Sequence, residues 1–177
     1  MGDREQRQLA LIDEFVGLAS DAGVEYWLRG GWALDFLLGR VTRPHGDIDF
    51  FMWAKDAPAF SRVLERRGFE EVPGPPPEQQ RNFVKEGEEL HVGLLRREPS
   101  GEVVVAGGPH EGAAWPERML GDDVGCIGAV TCRIVSPASQ LEVKERWEEW
   151  TGRPVREYDA EDLAHLRALL HDAPEQS

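Results

Sequence analysis

Two aspartates separated by one residue, Asp47 and Asp49, are the side chains of this sequence whose types and spacing most clearly suggest chemistry. Alternate side chains of an extended strand point to the same face, so the two carboxylates are expected to lie side by side. Two negative charges that close repel each other unless a cation lies between them. Mg²⁺ fits this position, because it prefers oxygen ligands and often bridges carboxylates to the phosphates of a substrate. The pair therefore predicts a metal site that handles a phosphate ester.

A glycine pair, Gly30 and Gly31, lies upstream of the aspartates. Glycine has no side chain, so backbone N–H groups beside it can approach phosphate oxygens closely. The apolar run that follows predicts a short helix, and the N-terminus of a helix attracts anions. We expect the pair to bind the phosphates of a nucleoside triphosphate. The alternative is a plain turn.

The hydrophobic pattern predicts the helices and strands that position these motifs. Helices are expected over residues 4–22, 32–38, 57–67, 137 to about 150, and 159–170, and strands over 24–28, 47–53, 81–85, 88–95, 102–106 and 131–135. Residues 72–80 and 107–125 are expected to be loops, the second with one helical turn at 115–120. This order predicts an α/β (α+β) fold with a mixed sheet and flanking helices. The predicted domains are residues 1–136, followed by a short helical C-terminal segment over 137–177.

The charge and composition limit the partners of this chain. With 33 acidic and 20 basic residues among 177, its net charge is −13. A nucleic-acid-binding protein normally presents a basic surface to phosphates, so no nucleic-acid partner is expected. The acidic surface either attracts cationic partners or only keeps the protein in solution.

No stretch reaches the roughly 18 apolar residues of a membrane span, so we expect a cytoplasmic protein without a membrane partner, either a monomer or a homodimer. Cys126 and Cys132 are expected to be reduced thiols.

The sequence between residues 30 and 49 resembles a known family. The strings that carry the resemblance are Gly30-Gly31-Trp32-Ala33-Leu34-Asp35, Gly39-Arg40-Val41-Thr42-Arg43-Pro44-His45 and Asp47-Ile48-Asp49. Together they resemble the small aminoglycoside 2''-adenylyltransferases and their lincosamide-modifying relatives, within the nucleotidyltransferase superfamily. The match is dense over residues 24–53 and sparse afterwards. The resemblance implies a nucleotidyltransferase-type sheet and a catalytic role for residues 1–136.

The reaction that the resemblance implies is the transfer of a nucleoside monophosphate, AMP from ATP or its counterpart from another triphosphate, to a hydroxyl group, with release of pyrophosphate. Asp47 and Asp49 would hold two Mg²⁺ ions, which stabilise the attacking and the leaving oxygen. Glu89 occupies the position of the family's third acid, so it would be a metal ligand and could accept the hydroxyl proton. An exposed strand position without a role is the alternative for Glu89. Glu88 is expected to point to the opposite face of its strand.

The nucleotide-binding residues that the resemblance implies extend beyond the glycine pair. Arg40 and Arg43 would neutralise the pyrophosphate, and Thr42 and His45 belong to the same motif; for His45 we favour a role in holding the turn by hydrogen bonds. Lys144 lies in a string, Pro137-x-x-Gln140-Leu141-x-x-Lys144, that resembles the lysine-bearing helix of these enzymes and would reach the triphosphate. The alternatives are surface ion pairs for the arginines and a solvated position for the lysine.

Two further features concern the C-terminus and the acceptor. Asp159-x-x-Asp162 resembles an aspartate pair of the family, but Tyr158 stands where a lysine usually precedes that pair. The acidic charge favours a cationic, hydroxylated small molecule such as an aminoglycoside as the acceptor. A lincosamide or another small molecule is an alternative acceptor, and so are a protein or RNA substrate and a fold without catalysis. Four histidines receive no role here: His91, His110, His165 and His171.

Overall fold

The computed structural model describes residues 2–152, 154 and 158–172. Its helices are α1 (Asp3–Ala22), α2 (Gly30–Leu38), α3 (Ala57–Arg66), α4 (Pro137–Glu145), α5 (Trp147–Thr151) and α6 (Asp159–Asp172), with a 3₁₀ turn at Gly108–His110. Its strands are β1 (Tyr26–Arg29), β2 (Asp47–Trp53), β3 (Glu70–Val72), β4 (Gln80–Lys85), β5 (Glu88–Arg97), β6 (Val103–Val105), β7 (Val124–Ile127) and β8 (Val130–Arg133).

A mixed sheet positions the aspartate pair. Its strands follow the order β1-β2-β5-β4-β3, and β6 pairs with β5; β7 and β8 form a separate hairpin. The one parallel pairing among these described strands joins β2 to β5 and places Asp47 opposite Glu89 and Asp49 opposite His91. On the other side of β2, Arg29 of β1 lies opposite Asp49. Because directly opposed residues share a face, these five side chains lie on one face of the sheet.

The opposite face of the sheet packs into the hydrophobic core. Ile48, Phe50 and Met52 of β2 are fully or almost fully buried. Phe15 of α1 stacks on Phe50 with ring centroids 3.9 Å apart, and Phe60 of α3 contacts Phe15 edge to face at 5.2 Å. Helices α1 and α3 therefore cover this face, and the alternation of β2 directs Asp47 and Asp49 away from it. Such stacked and edge-to-face aromatic contacts hold β2 firmly against the helices.

Most predicted elements are confirmed. The helix over 4–22 and the strand over 47–53 are found almost as predicted, and Gly39 ends α2 in the left-handed conformation, with φ 72°. Ser136 caps α4, since its side chain accepts a hydrogen bond from the backbone N–H of Ser139. Cys126 and Cys132 are free thiols on adjacent strands. Within the described part of the chain, no helix is long and apolar enough to cross a membrane.

Two predictions about the later half are wrong. The expected single helix from Pro137 to about 150 is broken at Arg146, where φ is −101° and ψ is 12°. No proline or glycine marks this break, so the sequence pattern did not show it. The expected loop over 107–125 contains a 3₁₀ turn at Gly108–His110, rather than a helical turn at 115–120, and includes the start of β7. The sequence also predicts a linker over residues 151–155, but Thr151 is the last residue of α5, and residues 153 and 155 lie outside the described part of the chain. The domain division stays a prediction.

Candidate active site

The two aspartates and the glycine pair line one cavity. The residues around it are Arg29, Gly30, Gly31, Trp32, Arg43, His45, Gly46, Asp47, Asp49, Lys144 and Tyr158. They come from the end of β1, the start of α2, the turn before β2, the start of β2, helix α4 and the residue before α6. The cavity thus contains most of the site residues that the sequence predicts.

The acidic centre of the site consists of Asp47, Asp49 and His91. Each offers one possible ligand atom, and these atoms lie within 4.8 Å of one another. His91 Nδ1 lies 3.6 Å from Asp47 Oδ2 and 3.7 Å from Asp49 Oδ1. The sequence assigns no role to His91. It does place His91 two residues after Glu89 on a predicted strand, so both side chains are expected on one face of that strand.

The pKa values at this centre reflect crowded negative charge. Burial and the charge of Asp49 raise the pKa of Asp47, although His91 and Arg29 partly offset this. Hydrogen bonding to Asp49, together with the charges of Asp49, Asp47 and Glu89, outweighs burial and raises the pKa of His91. Two clustered carboxylates, of which Asp47 is disfavoured in its charged form, are a donor set that a divalent cation stabilises. The residues present therefore fit a bound Mg²⁺ ion.

Glu89 and Glu88 lie on opposite faces of β5, as expected from the alternation of a strand. Glu89 is 61% exposed and its Oε2 lies 3.3 Å from His91 Nε2. Glu88 is 2% exposed and accepts hydrogen bonds from Arg4 and Gln8. The predicted role of Glu89 as a metal ligand and proton acceptor stays a prediction, since its carboxylate lies beside the acidic centre but is not one of the three clustered ligand groups.

Each glycine of the pair is required by close neighbours. Gly30 has φ 71°, a left-handed conformation, and a Cβ atom there would lie 3.1 Å from Asp49 Oδ2. A Cβ atom on Gly31 would lie 2.5 Å from the ring of His45 and 2.7 Å from an Arg43 nitrogen. Real Cβ atoms do not approach other atoms so closely, so any larger residue at position 31 displaces the walls of the cavity.

The turn before β2 is held by the buried carboxylate of Asp35. The Thr42 hydroxyl donates to one oxygen of Asp35, and His45 Nε2 lies 2.6 Å from the other. An Arg43 nitrogen lies 3.1 Å from His45 Nδ1. A guanidinium group can only donate, so Nδ1 accepts and Nε2 carries the proton that is donated to Asp35. His45 thus holds the turn by hydrogen bonds and also lines the cavity. Thr42 and the exposed Arg40 are not among its lining residues.

Two cations of the cavity, Lys144 and Arg43, are held by the C-terminal helix α6. Lys144 donates to Asp159 Oδ1 at 2.9 Å and to Asp162 Oδ2 at 2.7 Å. Arg43 donates to the same Asp162 oxygen at 3.1 Å and lies 4.0 Å above the ring of Tyr158. Burial raises the pKa of Asp162, but the hydrogen bonds from Arg43 and Lys144 outweigh it and leave that pKa below its usual range. The two motif aspartates of α6 therefore position both cations, a role that the sequence alone did not reveal.

Arg29 is another residue of the cavity that the sequence did not indicate. Its guanidinium lies 3.7 Å from Asp49 Oδ1 and 4.4 Å from the centre of the Phe51 ring. The signal for it was weak: a basic residue directly before the glycine pair, at the end of a predicted strand. Its position opposite Asp49 follows only from the antiparallel pairing of β1 with β2.

The fold and the paired aspartates define the class of this protein, which is that of the nucleotidyltransferases. The solution structure of the antibiotic-resistance factor ANT(2'')-Ia superposes with a TM-score of 0.74 at 21% identity, covering 93% of this chain and 85% of that one. The lincomycin-bound lincosamide antibiotic adenylyltransferase LnuA gives a TM-score of 0.70 at 21% identity, covering 88% and 94%. At these identities the comparison shows a shared fold.

The sequence gives the particular family. The model of the family described as aminoglycoside-2''-adenylyltransferase matches residues 12–166, and this chain belongs to that family. A 2''-aminoglycoside nucleotidyltransferase of Escherichia coli is 48% identical over 61 residues, 34% of each chain. A lincosamide resistance protein of Staphylococcus haemolyticus is 41% identical over 46 residues, 26% of this chain and 29% of that one. The match thus spans about a third of the length of the curated relatives. The resemblance read from the motif strings is confirmed.

Proposed function

We propose that this chain is a Mg²⁺-dependent nucleotidyltransferase that moves AMP from ATP to a hydroxyl group of an aminoglycoside and releases pyrophosphate. The observation that carries the proposal is that Gly30, Gly31, Asp47, Asp49 and Lys144 line the same cavity. A helix N-terminus, two adjacent carboxylates and a lysine are the groups that bind a nucleoside triphosphate together with its metal.

The proposed division of labour follows from the positions of the side chains. Mg²⁺ ions, two in our proposal, would be held by Asp47 and Asp49 and would supply the positive charge that stabilises the attacking and leaving oxygens. Gly30 and Gly31 bind phosphate oxygens at the start of α2, where the helix dipole favours anions.

Basic and acidic side chains around the metal site complete the proposal. Arg43 and Lys144 attract the leaving pyrophosphate, and Arg40, which the motif suggests, is a further contact in our proposal. Glu89, exposed beside Asp47 and on the same face, is the third acid in our proposal and accepts the proton of the attacking hydroxyl. Such a base must lie within hydrogen-bond distance of that hydroxyl, and an exposed glutamate on the sheet face is free to reach an incoming acceptor.

The proposed acceptor is argued from charge and from the relatives. The net charge of −13 and the carboxylates at the cavity favour a polycationic substrate, since ammonium groups pair well with carboxylates. A relative of this chain is a 2''-aminoglycoside nucleotidyltransferase, and a lincosamide resistance protein provides the second candidate acceptor. We also propose a cytoplasmic enzyme, monomeric or homodimeric and without a nucleic-acid partner, whose catalytic domain spans residues 1–136.

The experiment that tests the function is product analysis. The protein is incubated with Mg²⁺, ATP or another nucleoside triphosphate, and a panel of aminoglycosides and lincosamides, and the products are analysed by mass spectrometry. The expected result is pyrophosphate release and a mass gain of one AMP on an aminoglycoside. Asp47→Asn and Asp49→Asn are expected to abolish turnover, while Asp13→Asn, an exposed change on α1, leaves it intact. No product on any panel member, or equal rates in the Asp47 variant, overturns the proposal.

A further inference from the structure

We infer that His91 Nδ1 is the third protein ligand of the metal site, that Glu89 orients it, and that the site consequently binds Mn²⁺ more tightly than Mg²⁺. The inference rests on the proposed function insofar as Asp47 and Asp49 hold a divalent cation. It goes further because the third metal ligand is the imidazole of His91 and not the carboxylate of Glu89 that the sequence suggested. A nitrogen ligand changes the preference of the site between Mg²⁺ and Mn²⁺.

The distances around Nδ1 suit a shared ion. Two ligands that each lie about 2.1 Å from one ion are about 3 Å apart at a right angle and about 4 Å apart on opposite sides. His91 Nδ1 lies 3.6 Å from Asp47 Oδ2 and 3.7 Å from Asp49 Oδ1, between these two limits. The three atoms can thus converge on one cation with small side-chain rotations. No backbone movement is needed, because parallel pairing already places His91 directly opposite Asp49.

The second ring nitrogen provides the independent argument. His91 Nε2, the ring nitrogen other than the one nearest the aspartates, lies 3.3 Å from Glu89 Oε2. A histidine that binds a metal usually donates its other N–H to a carboxylate, which fixes the tautomer and the orientation of the ring. Glu89 occupies that place. Its carboxylate therefore orients His91, and its remaining oxygen stays available to the acceptor hydroxyl.

His45, the histidine that lines the cavity, is not available for this role. His45 uses Nε2 for Asp35 and Nδ1 for Arg43, so both of its ring nitrogens are already engaged. A nitrogen ligand beside Asp47 and Asp49 is accordingly assigned to His91. Mg²⁺ prefers oxygen ligands, whereas Mn²⁺ accepts carboxylates and lies in the transition-metal series that tolerates imidazole. One nitrogen among the ligands thus favours Mn²⁺.

The test is metal binding by the free protein, which does not depend on turnover. Mn²⁺ is titrated against the electron paramagnetic resonance signal of the free aqueous ion, and Mg²⁺ is titrated as a competitor. We expect tighter binding of Mn²⁺ to the wild-type protein, and pulsed measurements should detect a histidine nitrogen coupled to the bound Mn²⁺. His91→Ala and the bulkier His91→Gln should lower Mn²⁺ affinity by about tenfold or more and remove the nitrogen coupling. The affinity for Mg²⁺ should change much less.

Two controls separate the roles of the neighbouring residues. Glu89→Gln should weaken Mn²⁺ binding by about tenfold but keep the nitrogen coupling, because it changes the orienting group and not the ligand. His110→Ala, at an exposed position of the 3₁₀ turn, should change nothing. Absent Mn²⁺ binding, absent nitrogen coupling in the wild type, or coupling that persists in both His91 variants overturns the inference. AMP transfer with Mg²⁺ would still stand in that case, and its failure would leave the metal result unaffected.

Discussion

Lys144 and Asp162 form an ion pair of 2.7 Å that joins α4 to α6 at the wall of the cavity. The same carboxylate oxygen accepts a hydrogen bond from Arg43 in the turn before β2. Asp162 and Lys144 are both almost fully buried, so their charges depend on each other and not on water. One aspartate of the last helix consequently fixes two cations that the proposed triphosphate would meet.

Asp162→Asn should lower the free energy of unfolding by about 3 kcal/mol, because it leaves two cations short of a buried partner. It should also weaken ATP binding, since Arg43 and Lys144 lose their common anchor. Urea unfolding and calorimetric titration of ATP measure the two effects. The matched control is Glu145→Gln, which removes an exposed ion pair of 2.8 Å with Arg167 and should cost less than about 1 kcal/mol. Equal effects of the two variants would contradict the assignment.

Gln8 connects α1 to the motif turn, so its loss should disturb the cavity although Gln8 is not one of the lining residues. It is fully buried, and its side-chain amide donates to Glu88 at 2.9 Å and to the backbone carbonyl of His45 at 3.2 Å, while its oxygen accepts from Trp32. Gln8→Leu leaves several buried polar groups without partners and should cost about 2–4 kcal/mol. Turnover should fall as well. Gln6→Leu, at an exposed position of the same helix, should leave turnover unchanged and alter stability by less than about 0.5 kcal/mol.

Local patterns were enough to predict the motif elements. The strand over 47–53 followed from an apolar run after two aspartates, and the strand period alone put Asp47 and Asp49 on one face. The glycine pair at the start of α2 and the left-handed Gly39 at its end are likewise local signals. The role of His45 in holding its turn also follows from neighbours close in sequence, since Asp35 is ten residues away.

The parts of the site that could not be predicted depend on contacts between distant segments. His91 reaches the aspartates only because β5 runs parallel to β2, a pairing that no local period encodes. Asp162 lies 119 residues from Arg43 in the sequence. Strand β7 was missed because its four residues include Gly125, which lies where a Cβ atom would be 2.5 Å from the backbone of Phe36. The close packing against Phe36 leaves no room for a side chain at position 125, and a glycine weakens the sequence pattern that predicts a strand.

Acid should destabilise the protein partly through Glu88. Burial alone raises the pKa of this carboxyl, but hydrogen bonds from Arg4 and Gln8 outweigh it and leave the pKa below the usual value of 4.5. The unfolded chain therefore binds this proton more readily than the folded one, so stability is present above the usual pKa and is lost as the pH falls through the folded value. The free energy of unfolding should fall more steeply from pH 5 to pH 3 in the wild type than in Glu88→Gln. Parallel curves would contradict this origin.

Asp47→Asn, unlike Asp162→Asn, should not lower the stability of the folded protein. Burial and the charge of Asp49 raise the pKa of Asp47, so its ionised form is disfavoured in the folded protein without metal. An uncharged side chain of the same shape removes that repulsion, and thermal unfolding in a metal chelator should show an unchanged or slightly raised Tm. Adding Mn²⁺ should raise the Tm of the wild type but not of the variant, because only the wild type keeps the ligand. A lowered Tm in chelator would show that Asp47 has a structural role.

Gly31→Ala tests whether the glycine pair serves the cavity or only the turn. The added methyl group would overlap the ring of His45, which two hydrogen bonds fix in place, so the ring and Arg43 must both move. We expect a loss of about 1–3 kcal/mol of stability from overpacking. The loss in kcat/KM for ATP should be larger, about ten- to a hundredfold, because the proposed phosphate-binding groups are displaced. Gly17→Ala is the control: it lies on α1 with open space around it and should stabilise the helix by about 0.5–1 kcal/mol without affecting turnover. If Gly31→Ala lost stability but kept its kcat/KM, the pair would be a structural turn and phosphate binding would have to be assigned elsewhere.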